Sequence, residues 1–270
     1  MTIAVVTGAA GDIGRAIAQA IVDDGGYVVL ADRDVDAARG VARAVPSTEA
    51  VHLDLRSADS VRQVADDVLA RLGPPDFLVN NAAVCSNVSF ESIDEATWSE
   101  DLDVVLGGTF RLSQAFLPAM RDAGRGAVVN VASVNGHAYF GNDMYSAAKA
   151  ALLNLTRSLA VQYGPHSIRI NSVSPGTIAN AAWNARLVAA PDALARAARW
   201  YPLGRVGTPQ DVADAVAFLL SDRARWITGV DLPVDGGLLA GNRPLADDIG
   251  AATVPQHDGG AEAATADAAD

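Results

Sequence analysis

The stretch Ile3-Ala4-Val5-Val6-Thr7-Gly8-Ala9-Ala10-Gly11-Asp12-Ile13-Gly14 decides how the chain is read. A short apolar, β-branched run gives way to a glycine-rich turn. Ile13, Ile17 and Ile21 then recur at i, i+4 and i+8, which makes one apolar helix face. Strand, tight turn and helix together form a context in which backbone can close on a phosphate. Small residues allow close approach, and the helix N-terminus supplies free N–H groups and a positive dipole end. Gly8, Gly11, Asp12, Ile13 and Gly14 are therefore expected to hold a dinucleotide. Gly25 and Gly26 stop the helix, and a second strand over 27–31 ends at Asp32, 18 positions after Gly14. A carboxylate there accepts hydrogen bonds from ribose hydroxyls and repels a 2′-phosphate, which favours NAD over NADP. Arg33, beside it, weakens that preference.

The alternation continues outward from this unit. Helices are expected over 35–45, from Ser57 to about 72, over 95–120 and over 144–163, and one opens at Thr208 (N-cap) and Pro209. Strands are expected over 50–55, 77–80, 127–132, 168–173 and 231–234. Short, continuously apolar strands mean that both sheet faces are covered. The pattern predicts an α/β protein with a three-layer, doubly wound parallel sheet: a Rossmann fold of about seven strands with helices on both faces. Residues 1–240 read as one domain. The Ala-rich segment 177–201, with Trp183 and Trp200, fits no core strand and reads as a lid over a binding crevice. Residues 241–270 are mostly Ala, Gly and acidic residues without period, and read as a disordered tail.

Composition excludes several classes. Of 270 residues, 50% are hydrophobic, enough for a sizeable core. A single cysteine, Cys85, allows no disulfide within the chain and no Cys-rich zinc module; following the fourth strand, Cys85 either sits near a bound nicotinamide or is a small packing residue. The four histidines are scattered, so no catalytic metal is expected. A net charge of −12 argues against nucleic acid as a partner and gives a solvated acidic surface. No apolar run reaches the ~18 residues of a membrane span. No basic region precedes the first apolar run, so a cytoplasmic protein is expected.

A second motif is Tyr145-Ser-Ala-Ala-Lys149. The i, i+4 spacing sets both side chains on one helix face. A nearby ammonium and a cationic nicotinamide would both lower the phenol from its usual value near ~10. Tyr145 would then exchange a proton with an alcohol or carbonyl oxygen near neutral pH. Ser133, 12 positions upstream, falls at the carboxyl end of the fifth strand, where ligands bind in such sheets. Its hydroxyl can hold the substrate oxygen.

Taken together, these motifs resemble the short-chain dehydrogenase/reductase family, in its compact single-domain form, over roughly residues 2–240. The resemblance also rests on Asp54-Leu55, Asn80-Asn81-Ala82, Pro175-Gly176, Ile227-Thr228-Gly229 and Asp235-Gly236-Gly237. It implies that Tyr145 is the acid/base, that Ser133 orients the substrate, and that Lys149 binds the nicotinamide ribose and tunes Tyr145. Asp54 with Leu55 would meet the adenine. Asn81, Ala82 and Ala83 would line the cofactor path. Ile178, after Pro175 and Gly176, would contact the carboxamide. A homotetramer is implied, with the two long helices packing against their copies.

The departures are specific. Asp12 and Ala83 stand where the family has Gly, with Gly11 offering compensating freedom, and Asn180 stands where a Thr is frequent. Val105 replaces an Asn that anchors a water linking the Lys to solvent. Either a neighbouring group or the backbone carries that relay, or turnover is slow, or catalysis is lost. Asn135, His137, Tyr139 and Phe140 share the loop between Ser133 and Tyr145. His137 there either lines the substrate pocket or stands in a surface loop. Trp183 either closes over an apolar substrate or merely packs. The expected activity is hydride transfer between NAD and a small-molecule secondary alcohol or ketone, cyclic, aryl or a diol. The competing expectations are an NAD(H)-binding sensor or scaffold and, more remotely, an interaction protein.

Overall fold

The computed structural model describes residues 1–86 and 88–251, without the side chain of residue 185. Seven short strands form one sheet: β1 (Ile3–Thr7), β2 (Tyr27–Asp32), β3 (Thr48–His52), β4 (Phe77–Asn80), β5 (Gly126–Val131), β6 (Ile168–Pro175) and β7 (Asp231–Val234). Their order is β3-β2-β1-β4-β5-β6-β7, and every neighbouring pair is parallel. The order reverses between β1 and β4. Loops leaving those strands go to opposite sides and open a crevice at their carboxyl ends. The Rossmann architecture expected from the sequence is the one observed.

The helices, in chain order, are α1 (Asp12–Asp23), α2 (Val35–Ala44), α3 (Ala58–Leu72), α4 (Glu95–Leu102), α5 (Gly108–Ala123), α6 (Asp143–Tyr163), α7 (Asn184–Ala189), α8 (Ala193–Ala198), α9 (Pro209–Leu220) and α10 (Arg243–Asp248). Alternate strand residues face opposite layers. Val6, Leu30 and Val129 meet Ile17, Ile21, Val212 and Val216 from α1 and α9. Val5, Val29, Leu78 and Val128 meet Val64, Val68, Leu112 and Phe116 from α3 and α5. Each such side chain, taken from water, contributes about 2 kcal/mol. This two-sided burial, rather than the exposed ion pairs, holds the layers together. Caps fix where helices begin. Ser57 Oγ accepts from the Ser60 N–H at 3.1 Å. Thr208 and Asp211 form a reciprocal capping box at α9, as the Thr-Pro pair predicts.

Beyond one-residue shifts at element ends, four differences bear on the fold. β3 covers 48–52 rather than 50–55, because it is an edge strand paired only with β2, and the chain turns once Leu53 N–H has bonded Asp32 O. β6 runs two residues further than expected, pairing with β7 as far as Pro175. The helix expected over 95–120 is interrupted: Asp103–Gly107 forms a π turn between α4 and α5. Gly108 packs on Leu55, where a Cβ would stand 2.9 Å from the Leu55 side chain. Arg111 bonds Asp103 Oδ1 at 2.5 Å, holding the turn wide. Within the stretch expected to be a disordered tail, Arg243–Asp248 is helical; 252–270 lies outside the described residues.

Candidate active site

The crevice is shaped first by backbone. Gly8 sits at φ +62°, a conformation side chains rarely adopt, and a Cβ there would stand 2.8 Å from Ala82 Cα. At Gly14 a Cβ would stand 2.3 Å from Gly8 O. The loops after β1 and β4 are thus packed backbone to backbone. Asn81 secures them, its Nδ2 donating to Thr7 O (2.9 Å) and Gly8 O (3.2 Å). Thr7 Oγ1 accepts from the Asn81 and Ala82 N–H groups. Asn81 lines the crevice, but its amide N–H groups serve the glycine loop.

The neighbouring carboxylates are all engaged. Asp32 closes β2 and accepts from Ala10 N–H and Asp34 N–H, each at 2.9 Å. Asp54 is paired with Arg56 at 3.0 Å, and that bond holds its carboxyl below the usual range. Asp12 Oδ2 accepts from the backbone N–H of Ala181, 169 residues away, at 2.6 Å. The acid that displaces the family's glycine is thus tied to the 177–201 segment. Gly11 lies at φ −76°, ψ 160°, which any residue adopts, so it supplies no compensating freedom. Asn180 uses its carbonyl oxygen to cap Ala182 N–H at 3.1 Å.

The catalytic candidates stand at the other end. Ser133 follows β5 and caps a short 3₁₀ turn, Val134–Gly136, by accepting from Asn135 N–H at 3.2 Å. Asn135 pins that turn through Gly141 O (2.8 Å) and Ser146 Oγ (3.0 Å). Lys149 is buried, donates to Val131 O at 2.5 Å, and lies 5.4 Å from the Tyr145 ring centroid. Burial brings its ammonium down to about 7. Tyr145 departs from expectation. Burial pushes it up to about 12, a hydrogen bond with Ser133 pulls it partly back, and the charges of Cys85 and Asp101 raise it further. Desolvation thus outweighs any lowering by the Lys149 ammonium, whose Nζ is bonded to the Val131 carbonyl.

Val105 is buried in the π turn and its carbonyl accepts from Thr109 Oγ1 at 2.9 Å. Four residues earlier Asp101 is also buried, and it accepts from Ser86 Oγ at 3.0 Å. No Lys, Arg or His forms an ion pair with Asp101 among the described residues. His137 does not face the crevice. Its Nε2 lies 2.8 Å from Asp231 Oδ2 and 3.3 Å from Ser174 Oγ, so it ties the loop to β6 and β7.

One crevice of about 690 Å³ runs past most of these groups, though not past Asp101, Val105 or His137. It gathers the glycine loop with Asp12 and Ile13, Asp32 and Arg33, Asp54 and Leu55, and Asn81 to Ala83. At the far end it gathers Ser133, Asn135, Tyr145 and Lys149 with Pro175, Gly176, Ile178 and Trp183. The sequence reading overlooked Arg56, Val84 and Arg186, which line it too. Arg56 stands two residues past Asp54, a spacing that signals a pair. Arg186 lies in a segment without periodicity and carries no such signal. A larger cavity of about 820 Å³ lies at the amino ends of the strands. Its Arg125 is paired with Asp76 at 2.7 Å and its Arg169 is spent on the carbonyls of Leu219, Leu220 and Ser221, so no chemistry gathers there. No group of three or more potential metal ligands exists among the described residues.

Residues 8–239 match a family model described as enoyl-(acyl carrier protein) reductase. The chain belongs to the short-chain dehydrogenase/reductase family of oxidoreductases. It is 40% identical to cis-4-hydroxycyclohexanecarboxylate dehydrogenase of Sinomonas cyclohexanicum, covering 88% of this chain and 96% of that one. It is 36% identical to 2-(S)-hydroxypropyl-CoM dehydrogenase 3 of Xanthobacter autotrophicus, covering 87% and 95%. Among solved structures, a short-chain oxidoreductase from Burkholderia thailandensis superposes with a TM-score of 0.88 at 41% identity, covering 92% of this chain and 97% of that chain.

Proposed function

We propose that the protein is an NAD-dependent dehydrogenase that moves a hydride between the nicotinamide and a secondary alcohol or ketone, with Tyr145 as general acid/base. The observation that carries this is the sharing of one crevice by the glycine loop, Asp32 and the Ser133, Tyr145 and Lys149 group. The residues present fit the cofactor. At Gly8 and Gly14 a Cβ would strike neighbouring backbone, so the tight turn beside the N-terminus of α1 is possible only without side chains there. Asp32, set at the end of β2, favours ribose hydroxyls over a 2′-phosphate. When bound, NAD supplies the hydride-accepting carbon and a positive charge near Tyr145.

The chain's own residues then have distinct tasks. Ser133 holds the substrate oxygen, and Tyr145 exchanges its proton with that oxygen. Lys149, half-charged near neutral pH, supplies a cation beside the phenol once a ribose competes with Val131 O for its ammonium. Trp183 and Ile178 exclude water from the apolar end. A homotetramer is proposed, supported by exposed Phe110 on α5 and Val161 on α6, where long helices can meet their copies. Sedimentation showing only monomer would refute it. Val105 supports a second reading, an NAD(H)-binding protein with weak or no turnover.

The test is an initial-rate panel with NAD and NADP, cyclic and aryl alcohols, diols and the matching ketones, followed by nicotinamide absorbance. Turnover with NAD that vanishes in Tyr145→Phe supports the dehydrogenase. Binding of NADH with no turnover across the panel supports the second reading, and Val105→Asn is then expected to restore activity.

A further inference from the structure

Lys149 is the chain's one lysine; its other nineteen basic side chains of the Lys/Arg kind are arginines. Apart from the amino terminus, primary-amine chemistry is therefore confined to a single point. That point lies in the crevice that Ser133 and Tyr145 also line.

The surroundings of Lys149 suit a neutral amine better than an ammonium. The residue is 2% exposed, its Nζ donates to Val131 O at 2.5 Å, and no carboxylate forms an ion pair with it among the described residues. An ammonium brings three N–H donors and a charge that burial penalises. A neutral amine that donates one N–H to a carbonyl keeps its lone pair. Burial brings the group down to about 7, against an opposing push from the charge of Cys85, so about half of it is neutral near pH 7. The Tyr145 ring centroid lies 5.4 Å from Nζ, and burial keeps that phenol protonated at the same pH. Val84, Val104, Ile178 and Trp183 add apolar wall to the crevice. A desolvated amine beside a proton donor is the arrangement that attacks a carbonyl carbon.

We propose that Lys149 is a carbonyl-modification site: in the cofactor-free protein a small apolar aldehyde enters the crevice and closes on Nζ as a reversible imine. The amine lone pair forms the N–C bond as the carbonyl π bond breaks, and Tyr145 protonates the oxygen. The nitrogen returns a proton to the tyrosinate, which leaves a neutral carbinolamine. Loss of one water then gives the C=N bond, and addition of water reverses it; no oxidant or reductant is consumed. Bound NAD(H) excludes the aldehyde, because the ribose then takes Nζ. That competition rests on the dehydrogenase reading, whereas the modification does not.

The test traps the imine. Cofactor-free protein is incubated at pH 7 with sodium cyanoborohydride and benzaldehyde, or acetaldehyde as a smaller probe, and the added groups are located by peptide mass mapping. The α-amine of the chain is the internal standard. An ordinary lysine, near ~10.4, is neutral at pH 7 roughly 200-fold less often than an α-amine near ~8. Lys149 is expected to label within about tenfold of the α-amine, and to lose at least ~10-fold of that rate in guanidinium chloride, where burial is gone. Tyr145→Phe is expected to slow it at least ~10-fold, through loss of the proton donor. Lys149→Met confines the label to the α-amine. Labelling of Lys149 about a hundredfold slower than the α-amine with both aldehydes overturns the proposal, whatever alcohols the protein oxidises. Saturating NADH is expected to suppress labelling of Lys149 at least ~10-fold and to spare the α-amine. Labelling that NADH leaves unchanged supports the modification site and counts against the dehydrogenase reading, since the cofactor would then not reach Nζ.

Discussion

At the glycine-loop end of the crevice the backbone does the shaping: β1, the glycine loop and α1 meet the β4 loop with no room for a side chain at Gly8 or Gly14. Around Ser133 and Tyr145 the shaping falls to side chains on loops, with Asn135 pinning the 3₁₀ turn and His137 tied to Asp231, while Asp12 reaches across to Ala181. The first end is rigid because regular elements define it. The second is held by a handful of single hydrogen bonds, which evolution can exchange one at a time without disturbing the sheet.

The largest effect that would test this contrast is expected at Gly14. Gly14→Ala forces a Cβ against Gly8 O, destabilises the fold by about 2 kcal/mol and lowers NADH affinity more than ~10-fold, read by denaturation and fluorescence titration. Normal NADH binding in that variant would mean that the cradle is not where the cofactor sits. Lys149 tests the buried end near Tyr145. Its folded-state value, about 7, lies below the ordinary 10.5. Between those pH values the unfolded chain holds the extra proton. The cost of burying Lys149 is therefore fully present below pH 7 and is relieved as pH rises toward 10.5. Lys149→Met is expected to melt about 4 °C higher than wild type at pH 7, with the gap closing by pH 10. A gap that is constant with pH would show that the ammonium is not desolvated.

Asp12→Gly probes the loop-built end. Loss of one bond to Ala181 is expected to raise tryptic cleavage after Arg186, Arg196 or Arg199 about fivefold, the equivalent of ~1 kcal/mol, with the sheet's melting unchanged. An unchanged cleavage rate would remove Asp12 as the anchor of residues 177–201. Asp101→Asn is expected to have the smallest effect. Asp101 raises Tyr145. Removing that charge should lower the Tyr145 limb of the pH–rate profile by about half a unit. Alcohol oxidation below the limb would then rise about threefold. A uniform loss of rate without a shift would mark Asp101 as purely structural.

The sequence by itself determined the strand–helix alternation, the parallel sheet, the glycine loop with Asp32 and the Tyr145/Lys149 pair. Each of these is a local property: a period, a spacing, or a residue type forced by backbone geometry. Spacing on one helix face places Tyr145 near Lys149 whatever the rest of the chain does. Tertiary structure decided what those groups experience. Tyr145 is raised rather than lowered because its desolvation outweighs what a neighbouring ammonium could do. His137 belongs to a structural tie because β7, 94 residues on, brings Asp231 to it. Asp12, standing where the family has glycine, is bonded to the Ala181 N–H from 169 residues away. Burial and long-range partners fix pKa values, hydrogen-bond partners and the placement of residues 177–201, and neither is encoded in any window of sequence short enough to be read by pattern.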